Sequence, residues 1–114
     1  MSEQTLIYAI SKYERISSRK LVRIARCIQG KSVSEAFLIL KSLPQKGAYL
    51  VFKTLKSASD NAEKNYRYLN SQLRINKILI NDGPRFSRYQ PRARGRLNKL
   101  IKRTSHIRVE LVSK

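Results

Sequence analysis

Residues 83–104, GPRFSRYQPRARGRLNKLIKRT, carry eight Lys or Arg and not one Asp or Glu. Apolar, strand-like runs stand on either side, Leu73–Ile80 and Ile107–Val112. Hairpin loops take roughly two to five residues, so a connection of 22 is no simple turn. Unpaired positive charge at this density repels itself until a polyanion neutralises it. Pro84, Pro91, Gly83 and Gly95 rule out a long helix, and Phe86 and Tyr89 put flat faces among the arginines. The stretch reads as an arm, built as an extension of the last hairpin and laid against nucleic acid.

Working outward, the chain of 114 residues is expected to be a single domain, 1–114, with 83–104 as its arm. Its hydrophobic fraction of 41% supports a folded core despite a net charge of +18. Fifteen of the 25 Lys and Arg lie in residues 1–82, so the bias is global with a local peak. Contact with polyanion on several faces is the simplest reading. The lone Cys27 excludes an internal disulfide and fits a reducing compartment. No apolar run approaches the roughly 18 residues of a membrane span. The N-terminus, MSEQTLIYAI, lacks a basic leader and an Arg/Ser-rich transit pattern, so the protein is expected to work where it is made. Abundant Ile, Lys, Asn and Tyr go with an AT-rich bacterial or organellar genome.

Leu6 to Ile10 alternate as a short strand with apolar residues on both faces. Ser17 or Ser18 can cap a first helix, with Leu21, Ile24, Ala25 and Ile28 on its inner face and Gly30 at its end. Ser32 and Glu35 form a capping box for a second helix, striped by Val33, Ala36, Phe37 and Leu40. Leu43-Pro44 separates it from a third and longest helix. Ala48, Val51, Phe52, Leu55, Ser59 and Ala62 share a face of that helix, while Lys46, Lys53, Lys56 and Lys64 fall largely off it. The strand Leu73–Asp82 shifts phase between Ile75 and Ile78, which predicts a bulge or burial on both sides. Ile107, Val109 and Leu111 alternate in the last strand. The fold class is α+β: three helices on one face of a three-stranded antiparallel sheet, with a long basic β-hairpin arm.

Catalytic chemistry is starved. His106, the only histidine, reads as a hydrogen-bonded or RNA-facing side chain at a strand end rather than a base. Cys27 reads as a partly buried, inert thiol. One His and one Cys cannot make a structural zinc site, four isolated glycines make no phosphate loop, and Asp60 with Glu63 reads as solvated. No enzyme activity, cofactor or small-molecule substrate is expected. Binding chemistry is plentiful. Arg85, Arg88, Arg92, Arg94 and Arg96 can each fork two donors onto phosphate, and Phe86 and Tyr89 can stack on unpaired bases. The outer face of the first helix, Arg19, Lys20, Arg23 and Arg26, has little acid to pair with and is expected on phosphate too.

The run Gly83-Pro84, Pro91-Arg92-Ala93-Arg94-Gly95-Arg96 and Lys102-Arg103-Thr104-Ser105-His106-Ile107 resembles the C-terminal signature of large-subunit ribosomal protein L-twenty-two. Ser57-Ala58-Ser59-Asp60-Asn61-Ala62-Glu63-Lys64-Asn65 is similar to that family's ending of the long helix, and Lys20-Leu21-Val22-Arg23 with Gln29-Gly30-Lys31 to its first helix and turn. The similarity runs in order over residues 10–112. It implies a small α+β body on the outside of the large subunit and a hairpin threading rRNA to line the nascent-peptide exit tunnel. It also implies support of subunit assembly, with rRNA, neighbouring large-subunit proteins and the nascent polypeptide as partners. The residues expected on rRNA are Arg19, Lys20, Arg23, Arg85, Arg88, Tyr89, Arg92, Arg94, Arg96, Lys99, Lys102, Arg103 and His106. The tunnel tip is expected over Phe86, Ser87, Arg88, Tyr89, Gln90, Pro91, Arg92, Ala93 and Arg94. Ser87, Gln29, Lys64 and Asp60 depart from the common bacterial pattern, and with the composition they suggest a plastid ribosome in the chloroplast stroma, the alternative being the bacterial cytoplasm.

Two other classes compete. A helix-turn-helix DNA binder would use the first two helices, yet residues 33–40 offer few side chains that read bases. A cationic membrane-active protein would need an amphipathic stripe that the basic arm lacks.

Overall fold

The computed structural model describes residues 6–84, 86–91, 95 and 97–113. Strand β1 (Leu6–Glu14) is followed by helices α1 (Ser18–Ile28), α2 (Val33–Ser42) and α3 (Lys46–Tyr66). After a 3-10 turn come β2 (Leu73–Asp82), β3 (Phe86–Pro91), β4 (Leu97–Lys102) and β5 (Ser105–Ser113). β5 lies between β1 and β2, antiparallel to both, and β3 pairs antiparallel with β4. The expected α+β architecture is the one observed.

Period-two burial decides which sheet face is covered. Ile107, Val109 and Leu111 of β5 are fully buried, and Ile7 and Ala9 of β1 join them on the helix side. Although β1 carries apolar residues on both faces, only one of them is covered. Leu6, Tyr8 and Ile10 are each about half exposed, because the helices occupy only one side of the sheet. β2 keeps Leu73, Ile75 and Ile78 inside by a register shift between Ile75 and Lys77, the bulge its sequence phase predicts. β1 runs further than expected, carried past Ile10 by its own irregularity between Ser11 and Glu14, where Tyr13 takes a left-handed φ of 61°.

The helices form where their apolar spacing says they should. Leu21, Ile24, Ala25 and Ile28 bury one stripe of α1, and Gly30, at φ 83°, turns the chain so that its N–H reaches Ile75 O at 3.1 Å. Ser32 Oγ accepts from Glu35 N at 3.4 Å to start α2, which is half of a capping box. Val51, Leu55, Ala58 and Ala62 of α3 are fully buried over the sheet. α3 ends at Tyr66 because Arg67 adopts a left-handed conformation, its N–H closing on Glu63 O at 3.0 Å.

The arm leaves this body from the β2–β5 hairpin. Phe86 pairs with Lys102 at its root and Pro91 with Leu97 near its end, a ladder of about 20 Å at ordinary strand rise. Gly95, between β3 and β4 in the chain, has a positive φ of 72°. The principal extents are 67 × 26 × 22 Å, and the radius of gyration is 17.4 Å. A compact chain of this length would have about 13 Å.

Candidate nucleic-acid interface

In residues 1–82 no cation is buried. All fifteen Lys and Arg of residues 1–82 are exposed. Among the described residues the only ion pair is Arg108 with Glu110, at 3.1 Å. Arg108 also lies over the Tyr8 ring, 4.4 Å from its centroid, so this cation is occupied within the sheet. Asp60 and Glu63 stand exposed and unpaired with any described cation, as a solvated pair would. Among the described residues the remaining body cations pair with no acid, although Lys41 and Lys53 lie over the Phe52 and Tyr49 rings at 6.0 and 5.6 Å. Arg19, Lys20, Arg23 and Arg26 project from the outer face of α1, opposite its buried stripe.

The arm joins the body through a tied neck. Gly83 N donates to Thr104 O at 2.9 Å, and Thr104 Oγ1 donates to Pro84 O at 2.7 Å. A Cβ at Gly83 would run into Thr104 Oγ1, so glycine permits this approach. One residue on, buried Ser105 donates from Oγ to Ile16 O at 2.7 Å. His106 Nδ1 accepts the Tyr13 N–H at 3.1 Å, and the two rings meet edge to face at 5.0 Å. With Nδ1 accepting, the neutral ring carries its proton on Nε2. These bonds fasten the root of the arm to the segment that enters α1. Arm and basic helix face are thereby placed by one set of contacts.

A second juxtaposition escapes sequence spacing. Lys46, at the first turn of α3, shares a cleft with Lys20 and Arg23 of α1. Cys27 lines the same cleft and is exposed, which corrects the expectation of a partly buried thiol. It precedes Ile28 by one residue, and that step of about 100° around the helix carries it off the buried stripe. Its Sγ donates to Arg23 O at 3.4 Å.

Comparison with known proteins decides what kind of chain carries this arrangement. The family model described as Ribosomal protein L22p/L17e matches residues 9–112. A "Large ribosomal subunit protein uL22" of Akkermansia muciniphila is 49% identical over 105 residues, covering 92% of this chain and 94% of the relative. Proteins of the same title from Pediococcus pentosaceus and Ligilactobacillus salivarius are 44% and 46% identical, covering 100% and 96% of this chain and 98% and 96% of their own lengths. The chain belongs to the ribosomal protein L22p/L17e family. Membership makes it a large-subunit ribosomal protein and a non-enzymatic one. The plastid expectation gains nothing from these relatives, all three of which are bacterial.

In this L22p/L17e chain the expected site residues fall into three groups. Arg19, Lys20 and Arg23 lie together on α1, and Arg103 is exposed at the neck. His106 is half-buried there, its Nδ1 committed to Tyr13. Phe86, Ser87, Arg88, Tyr89, Gln90 and Pro91 lie along β3, with Lys99 and Lys102 on β4. Six of the nine expected tip residues therefore belong to a strand. Arg85, Arg92, Ala93, Arg94 and Arg96 lie outside the described residues. Lys46 was missed because nothing in its own helix distinguishes it from Lys53 or Lys56.

Proposed function

We propose that the protein binds large-subunit rRNA through the α1 face and the arm, supports assembly of the subunit, and lays the arm along the nascent-peptide exit tunnel. The observation that supports this best is a body whose exposed cations have almost no acidic partner, joined by a tied neck to a basic hairpin. Arg, Lys and aromatic side chains of the arm recognise shape and backbone of folded RNA more than base sequence. The protein acts as one domain of 114 residues with 83–104 as its extension. Arg103, and His106 through Nε2, add contacts at the neck. The bacterial relatives favour a bacterial cytoplasm over a plastid as its setting.

Sedimentation of lysate at moderate salt tests the binding. The chain is expected to migrate with the large subunit, and migration away from it contradicts the proposal. A photoreactive group on a cysteine replacing Arg88, in a chain that also carries Cys27→Ser, tests the destination. Crosslinks to stalled nascent chains are expected, and their absence removes the tunnel from the reading.

A further inference from the structure

The cleft between α1 and the start of α3 holds about 440 Å³, within the range of small-ligand sites. Its floor is apolar, from Ile16, Ile24 and Leu43, and its rim is cationic, from Lys20, Arg23 and Lys46. No acid lines it. A phosphate alone would leave the floor wet, and an uncharged apolar ligand would leave three cations unmet. An unpaired nucleotide satisfies both: a flat, desolvated base below and its flanking phosphates on the rim. Paired bases cannot reach such a floor, since an A-form duplex turns phosphates and 2′-hydroxyls outward, whereas bases of loops and bulges can splay from the stack. The Arg23 guanidinium is able both to grip phosphate and to stack on the base.

We propose that this cleft seats an unpaired base of large-subunit rRNA, with the adjoining phosphates on Lys20, Arg23 and Lys46. The inference rests on the rRNA-binding reading and adds what the body, as distinct from the arm, recognises. Cys27 is the single cysteine of the chain, is exposed, and lines the cleft, which makes it a one-site reporter of occupancy.

The test is the rate of Cys27 alkylation by N-ethylmaleimide in the full chain, free and with deproteinised large-subunit rRNA, with co-sedimentation measured on the same samples. A filled cleft is expected to slow alkylation by about tenfold at about 90% occupancy. Single-stranded oligoadenylate is expected to protect, whereas a duplex of equal charge and inorganic polyphosphate are not. In the Lys46→Glu chain, which places an acid in a helix first turn where it is tolerated, the thiol is expected to react at the free rate while the arm still retains rRNA. Co-sedimentation without protection overturns the cleft assignment alone, and failure to co-sediment overturns the rRNA reading itself. Equal protection by polyphosphate or duplex shows that no unpaired base is seated. Protection only in the complete subunit assigns the cleft to a neighbouring protein.

Discussion

Body and arm of this chain are built on opposite rules. In the body, apolar side chains are buried between three helices and one sheet face, and among the described cations only Arg108 has an acidic partner. In the arm, two six-residue strands pair with each other alone, and the 22 residues carry eight cations and no acid. The body pays its conformational entropy with the hydrophobic effect. A two-stranded ribbon has no such source and is marginal by itself in water. Under the rRNA-binding proposal, contacts with the polyanion supply the stabilisation that such a ribbon lacks. The contrast teaches that charge in this chain is there for binding and contributes little to folding.

That division is broken most severely in the core. Leu55→Ala removes a fully buried side chain at the centre of α3 and is expected to cost about 2 to 5 kcal/mol in urea unfolding. Loss of rRNA binding should then follow the unfolded fraction. A cost near zero would mean that the body is not held by this core.

The neck is where the two regions meet, and the next largest effect belongs there. Gly83→Ala drives a methyl into Thr104 Oγ1 and is expected to destabilise by about 1 to 3 kcal/mol. Because the strain falls at the root of the arm, rRNA affinity should drop further than the lost stability explains. An affinity that tracks stability alone would show that the neck does not aim the arm. A smaller effect is confined to the body. Ser32→Ala removes the cap of α2 and should cost about 1 kcal/mol by thermal unfolding, leaving the affinity of the folded chain unchanged.

Local pattern made most of the body readable. The stripe of α1, the alternation of β5 and the phase shift of β2 are each set by neighbours within a few residues, and each matches the structure. What sequence did not show depends on closure over long separations. His106 meets Tyr13 across 93 residues, and Ser105 meets Ile16 across 89. Neither residue type demands such a partner, so no spacing could announce it. With apolar residues on both faces of β1, the sequence did not say which face the helices would cover, and Tyr8 and Ile10 proved to lie on the open one. Lys46 joined Lys20 and Arg23 only once α1 and α3 had packed.

The division of labour is tested most directly by changing Arg92, Arg94 and Arg96 together to Ala and measuring rRNA affinity against salt alongside thermal stability. Phosphate contacts by all three are expected to reduce the slope of log affinity on log salt by about 2 to 3 units, with the unfolding midpoint unmoved. An unchanged slope, or a midpoint that falls, would mean that these arginines serve the fold and not the nucleic acid.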